Sequence, residues 1–506
     1  MAKKLAVTII GGGVSGMTAA LILARFGHDV TLVERAPTLG TTIRGFFRGD
    51  YYFDTGLHYT GGLGKDRPFP RYLDFLGLGD LPFVEYEPDG FDTVRFAPLG
   101  KDLRLAVGYH DMKERLLSLF PGEEKGLDAY FYAVRNVYGS APFLHEATDI
   151  KEAFAETFKY DTLEAFLREN IQSPVLRATL SLPTLTHGAQ PSETSFLQHA
   201  RVVASVFDSV GTVTGGGLAL AEAFERRLAE CGVRVITGNG VARVNLSPAG
   251  AVEGVTLDDG GMFDTDAVVY TGHPYYLIKI VGEGVFTTIF TRHLLTLAET
   301  PSAYMMFGVS DTPLLPDNGS NLLYCPDTDF SNFYRPRSDL SNGPYLLMTR
   351  PGTGVPEADA SGRATGEGRS VLALVVGNIA DFAKWKETRS GERGTDYEAY
   401  KARKLEQFRE GLIKTCPEAA SVRFIEGATP LTLRDHIHSL QGSIYGRKHT
   451  MQQNNPQPAT RVPGLWLAGQ SIVSPGILGA VISSFLACGY IVGPEALYDE
   501  LKRDRA

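Results

Sequence analysis

Gly11, Gly13 and Gly16 hold a G-x-G-x-x-G spacing between the apolar run of residues 5–10 and an Ala- and Leu-rich segment. Between a strand and a helix, that spacing reads as a dinucleotide-binding turn. Gly11 permits the tight bend, Gly13 lets the backbone approach a pyrophosphate, and Gly16 lets the helix pack closely on the strand. The helix start, which includes Val14 and Ser15, offers unpaired N–H groups and a partial positive charge to phosphates. Glu34 ends the next β-branched run, residues 29–33, and is followed by Arg35. A carboxylate there accepts from a ribose hydroxyl pair and disfavours a 2′-phosphate.

A second glycine-rich stretch lies near the C-terminus, Gly464-Leu-Trp-Leu-Ala-Gly469-Gln470, followed by Ser474-Pro475-Gly476-Ile477-Leu478-Gly479-Ala480. A strand ending at Gly469 and a helix beginning near Pro475 would aim helix N–H groups at the N1/C2=O edge of an isoalloxazine, where negative charge accumulates on reduction. The N-terminal position of the first unit, an interrupted domain and this second segment together predict FAD rather than NAD. Gly215–Gly217 and Gly238-x-Gly240 lack a third spaced glycine, so no second nucleotide-binding turn of this type is expected. Electrons then need an external donor or acceptor, or a nicotinamide bound in the substrate cleft.

Positioning these groups requires a strand over 5–10, a helix over 15–26 and a strand over 29–33, the start of a doubly wound sheet. Residues 108–207 shift to helical periodicity. A helix over 218–231 capped by Gly232, with strands at 233–237, 241–244, 252–257 and 266–270, reads as the chain's return to the first domain. A long helix over 397–415 and a strand over 370–376 fall in the second, and the Gly- and Pro-rich stretch 351–369 reads as a hairpin loop. The expected fold is α/β: a Rossmann-type FAD-binding domain assembled from 1–96, 208–274 and 424–506, plus an α+β substrate domain with a helical region from 97–207 and 275–423. Two domains suit a chain of 506 residues.

A formal net charge of −9 argues against nucleic acid, whose binding relies on a basic stripe. The scattered Cys231, Cys325, Cys416 and Cys488 suggest neither a metal site nor a disulfide framework, and a cytoplasmic location fits. The apolar stretch 5–24 reads as the strand–turn–helix rather than a signal peptide. Residues 462–493 carry no charge and are long enough to span a bilayer on paper, but their glycines and Pro475 favour a buried turn and helix. Peripheral membrane contact stays open, as does oligomeric state.

The chain resembles the phytoene desaturase, carotenoid isomerase and retinol saturase branch of FAD-dependent, amine-oxidase-like proteins. The likeness rests on Gly40 with Phe53-Asp-Thr-Gly-Leu-His-Tyr59-Thr-Gly61, on Leu467-Ala-Gly-Gln470 through Ala480, on Thr429–Thr432 and Gly442–Gly446, and on Thr214-Gly215-Gly216. It implies that Gly11, Gly13, Ser15 and Gly16 hold the pyrophosphate, Glu34 the ribose and Val241 the adenine side, while Gly469, Gln470, Gly476, Ile477 and Ala480 line the flavin. Thr41 and Thr42 stand where many relatives carry Gly and Arg or Ser, and Arg44 is the candidate to replace that arginine.

The resemblance further implies a long apolar substrate and hydride exchange at the flavin, with the protein positioning a double bond by its apolar walls. Saturation, desaturation and redox-neutral isomerisation are the three outcomes. His58, Tyr59, His436, His438 and Tyr445 are candidates for proton handling, with His58, Tyr59 and Tyr445 the foremost catalytic expectations. Their plainer reading is structural hydrogen bonding and packing. A flavin amine oxidase, or a flavin-bearing binding protein without turnover, is the alternative.

Overall fold

In the computed structural model, residues 3–63, 67–86, 88–140, 161–314, 321–349 and 369–503 are described. The expected loop over 351–368 lies outside them.

The β-branched run Ala6–Ile10 forms the middle strand of a five-stranded parallel sheet in the order Arg234–Ile236, Asp29–Val33, Ala6–Ile10, Ala267–Tyr270, Leu465–Leu467. Alternation along these strands feeds two cores. Val7, Ile9, Leu32 and Val269 join one, together with the helices Val14–Arg25 and Ile477–Val492. Ile10, Val33, Val268 and Tyr270 join the other, which is covered by the three-stranded sheet of residues 241–264 and the helix Pro274–Val281. Burial on both faces explains why these strands read as continuous apolar runs.

The first helix spans Val14–Arg25 and ends where Gly27 turns left-handed at φ 82°, with the Gly27 and His28 N–H groups bonding the carbonyls of Ala24 and Leu23. The glycine-rich segment's helix begins at Ile477, two residues beyond Pro475, and a last helix, Pro494–Arg503, follows it. Its 16 residues fall short of the ~20 that a bilayer needs. Among the described residues no helix is long and apolar enough to cross a membrane.

A larger sheet of seven strands runs Arg423–Ala428, Ser302–Ser310, Arg369–Gly377, Tyr345–Thr349, Asn321–Cys325, Asp92–Phe96, Lys101–Leu105. One face of Ser302–Ser310 sends Tyr304 and Met306 toward the long helix Gly394–Thr415. The other sends Ala303, Met305 and Phe307 toward Phe53 and Phe46. A layer of helices that includes Glu124–Ser140 and Phe196–Asp208 covers the end carrying Val94 and Leu103.

Strand pairing crosses two of the four expected boundaries, those at 96/97 and 423/424. Residues 92–96 and 424–428 were assigned to the nucleotide-binding part, yet the first pairs with Asn321–Cys325 and Lys101–Leu105, and the second with Ser302–Ser310. Both belong with the larger sheet. Partners more than 200 positions away in the chain, as Asn321 is from Asp92, leave no local pattern to read.

Candidate functional site

The glycine turn sits at the carboxyl end of the middle strand, where ligands of open parallel sheets bind. Gly11 has φ 109°, and a Cβ on Gly16 would lie 1.8 Å from the Gly11 carbonyl oxygen, so neither position accepts a side chain. At Gly13 the situation reverses: among the described residues, no atom beyond its immediate chain neighbours lies within 4 Å of where a Cβ would stand. The helix behind it has no side-chain cap and no acid in its first turn. Open space in front of bare helix N–H groups, reached only by glycine backbone, fits a pyrophosphate.

Glu34 stands beside this turn. Its carboxylate accepts from the Gly12 N–H at 2.5 Å and the Ala36 N–H at 2.7 Å, which orients it and leaves acceptor capacity for a ribose. Arg35 is exposed next to it, with Gly240 close by, and Val241 follows, buried in the small sheet opposite Leu257. His438, at φ 50° after the helix Pro430–Ile437, falls within electrostatic reach of Arg35 and Glu34. Burial lowers its basicity and the Arg35 charge lowers it further.

The two helix starts are joined. Ser15 Oγ donates to the Ala480 carbonyl at 3.1 Å, and Ser484 Oγ donates to the Ser15 carbonyl at 2.8 Å. Gly476, at φ 85°, leads into Ile477 without a side-chain cap. Gly469, at φ 122°, donates its N–H to Ser483, and the Gln470 carbonyl is bonded to His449 Nε2 at 2.8 Å. The glycine turn and the 469–480 segment thus share the carboxyl end of one parallel sheet.

The loop carrying Thr41, Thr42 and Arg44 is pinned from two sides. A Cβ on Gly56 would strike the Thr42 carbonyl at 2.2 Å, and one on Gly217 the Ile43 carbonyl at 1.7 Å. Arg44 donates to the Leu39 carbonyl at 3.0 Å and pairs with Glu225 at 2.5 Å, which directs its charge to that helix. Asp54 accepts from Tyr52 at 2.9 Å and from the Gly217 N–H at 3.1 Å, tying the 53–61 segment to the same helix start.

Beyond this segment lies a narrow cleft of only about 20 Å³, lined by Phe53, His58, Phe307, Asn321, Met348 and Leu372 among others. The Tyr59 hydroxyl donates to Asp92 Oδ2 at 3.4 Å. Tyr445 is anchored through its N–H to Thr300 Oγ1 at 3.0 Å, and Thr300 lines a second cavity of about 500 Å³ with Gln190, Tyr334 and Lys448. Burial pushes the Tyr445 hydroxyl up to about 12 and the Tyr59 hydroxyl well above its ordinary value, with Asp92 and Tyr445 adding to the latter. Both phenols are proton donors, not phenolates, near neutrality. Tyr59 meets the first cavity through Asp92 and Asn321, and Tyr445 meets the second through Thr300.

Sequence reasoning missed several buried polar groups here. Asp92 is 6% exposed and accepts from Asn321 Nδ2 at 2.6 Å. Arg447, fully buried, pairs with Glu299 at 2.8 Å, and Glu299 also accepts from Ser443 at 2.9 Å and meets His273 Nε2 at 3.2 Å. This cluster locks the loop that carries Tyr445 onto the segment following the strand Ala267–Tyr270. Nothing local marked them: Arg447 stands beside Lys448 and His449, and Asp92 between Asp89 and Arg95, so neither reads as an isolated charge.

Comparison with known proteins agrees with the motifs. The profile of the family described as flavin containing amine oxidoreductase matches residues 14–299. The all-trans-retinol 13,14-reductase of Danio rerio is 25% identical over 97% of this chain and 86% of its own length. The all-trans-zeta-carotene desaturase of Myxococcus xanthus is 24% identical over 96% of this chain and 93% of its own. In fold, an oxidoreductase from Methanosarcina mazei superposes with a TM-score of 0.66 at 16% identity, over 95% of this chain and 99% of that one. The chain belongs to the flavin-containing amine oxidoreductase family and is an FAD-dependent oxidoreductase.

Proposed function

We propose that this enzyme acts on carbon–carbon double bonds of an apolar isoprenoid polyene, in the saturating direction, with the double bond presented at the 53–61 segment. The observation that carries this reading is the apolar cluster beside His58, where Phe53, Phe307, Met348 and Leu372 offer contact to a hydrocarbon alongside the polar Asp54, Asn321, Thr349 and Ser370. Similarity to a retinol reductase along nearly the whole chain supports the direction.

In this reading Gly11, Gly13, Val14, Ser15, Gly16, Thr41 and Thr42 hold the pyrophosphate region of FAD, Glu34 and Arg35 the ribose and Val241 the adenine side. Gly469, Gln470, Gly476, Ile477 and Ala480 line the flavin, and Arg44 sets the charge of the 40–44 loop. Bound flavin supplies hydride exchange with carbon. The apolar walls orient the polyene and exclude water, while Tyr59 and Tyr445 hold protons on buried hydroxyls and His58 shapes the cleft. An external reductant supplies electrons, and contact with a lipid surface, where such a substrate dissolves, belongs to the same reading.

Anaerobic photoreduction followed by addition of all-trans-retinol or a carotene tests it. Flavin reoxidation with a product two hydrogens heavier is expected. Isomer change without reoxidation would replace saturation by isomerisation, and reduction of the oxidised flavin by amines, with no reoxidation of the reduced flavin by polyenes, would overturn the polyene reading.

A further inference from the structure

The cleft beside His58, at about 20 Å³, has room for a water and no more. The second cavity, at about 500 Å³, falls within the ~300–1,000 Å³ of small-molecule sites. Two of the charges in its wall are already matched: Glu299 pairs with the buried Arg447 at 2.8 Å, and Lys448 with Glu193 at 2.9 Å. Arg335 is different. It is exposed in the wall, and no carboxylate stands within ion-pair distance of it among the described residues. Its neighbour Arg337 bonds only the carbonyls of Asn332 and Asn342. Burial lowers the basicity of Arg337 and the Arg335 charge lowers it further, with Asp327 and Asp339 offsetting part of this. A bound anion relieves such crowding of like charge.

Three more groups of the wall are free to bond a ligand. Ser302 is 6% exposed, and its Oγ has no hydrogen-bond partner among the described residues. The side-chain amides of Gln190 and Gln441 hold no bond to another described residue. Gln441 also stands at φ 58°, a left-handed conformation that costs a residue other than glycine and that recurs at ligand-binding sites. One unpaired guanidinium with two amides and a hydroxyl recognises an oxygen-bearing anionic group, not a hydrocarbon. Tyr334, in the same wall, lies within electrostatic reach of Tyr445, and so does Tyr59. Tyr445 therefore stands close both to this cavity and to the 53–61 segment.

We propose that this cavity binds the oxygenated end of the substrate and that this end is a carboxylate held by the Arg335 fork, so that the enzyme acts on a polyene acid rather than a hydrocarbon. The inference rests on the polyene reading above for the body of the ligand and on the cavity alone for its polar end. Gln190, Gln441 and Ser302 replace the water that the oxygenated end loses, and the chain runs inward past Tyr334 and Tyr445.

Equilibrium dialysis of the FAD-loaded, oxidised protein against all-trans-retinoic acid, all-trans-retinol and a carotene reads binding without turnover. The acid should bind about fivefold more tightly than the alcohol, as one exposed charge pair allows, and that excess should shrink with added salt. Arg335→Met should bring the acid to the affinity of the alcohol and leave the alcohol where it was. Arg335→Lys, which keeps the charge and loses the fork, should retain part of the preference. Gln441→Gly, which relieves the left-handed backbone, should fold and weaken acid and alcohol alike. Equal affinities for acid and alcohol in the wild type, a preference that Arg335→Met preserves, or a carotene bound as tightly as the acid would overturn the carboxylate site. Acid bound through Arg335, with no polyene able to reoxidise the reduced flavin, would instead sink the assigned reaction and leave the site standing.

Discussion

The Ser15 hydroxyl reaches the Ala480 carbonyl at 3.1 Å across 465 positions of sequence. With the returning bond from Ser484 to the Ser15 carbonyl, it sets two uncapped helix starts side by side at the carboxyl end of one sheet. Two like-poled helix ends repel weakly, and a bound anion relieves that repulsion. The half of the site at residue 11 and the half at residue 480 are therefore one electrostatic unit.

Ser15→Ala should weaken that unit without unfolding it, since the Ala480 carbonyl keeps its bond from Ser484 at 3.1 Å. A net loss of about 1 kcal/mol, or roughly five-fold in FAD affinity, is expected for one hydrogen bond. Titration of apoprotein with FAD, followed by flavin fluorescence, measures it. Unchanged affinity would show that the tie between the helices does not reach the cofactor.

Gly13 and Gly16 should respond to the same substitution in opposite ways. Gly13 has φ −75° and open space at its Cβ position, so Gly13→Leu should fold and lose FAD because the side chain occupies the cofactor's approach. Gly16→Leu drives its Cβ into the Gly11 carbonyl and should not yield folded protein. Circular dichroism with flavin absorbance separates the two. A Gly13→Leu protein with full FAD would place the phosphates elsewhere.

The Arg447–Glu299 pair sits where removal of one partner strands the other. Arg447 is wholly buried, although the Leu294 carbonyl also accepts from it at 2.7 Å. Glu299→Gln should cost about 3–5 kcal/mol, and pairing it with Arg447→Met should recover part of that loss. Urea denaturation of the single and double variants measures the difference. Additive losses would mean the two charges do not depend on each other.

Local pattern explains what could be read beforehand. Residues 5–10, 15–26 and 29–33 were expected as strand, helix and strand, and the structure forms Ala6–Ile10, Val14–Arg25 and Asp29–Val33, because alternation, glycine spacing and a Gly27 stop all act within a few residues. The larger sheet brings Asp92 beside Asn321 by pairing across 229 positions, and Arg447 meets Glu299 by folding back a loop. Asp92 therefore stayed invisible although it lies 3.4 Å from Tyr59, a residue the motif had already singled out.

Acid sensitivity supplies a test of the buried interior. Burial pushes His187 and His199 down to about 3, and neither ring nitrogen of His187 has a hydrogen-bond partner among the described residues. The folded protein keeps both rings neutral, whereas the unfolded chain protonates them near an ordinary ~6.5. Their contribution is complete above that value and drains away as pH falls toward about 3. Each ring accounts for about 1.4 kcal/mol per pH unit, or roughly 2 kcal/mol lost at pH 5. Asp92, raised to about 7, runs the other way: its contribution is present below ~3.8 and is lost as pH rises toward about 7. Two groups against one leave a net fall in stability toward acid. His187→Leu should flatten the fall in Tm between pH 7.5 and pH 5, and Asp92→Asn should steepen it, both measured with FAD saturating so that cofactor linkage stays constant. Identical acid limbs in all three proteins would mean that these groups titrate alike in the folded and unfolded states, and the buried-neutral assignment of His187 and of Asp92 would fall together.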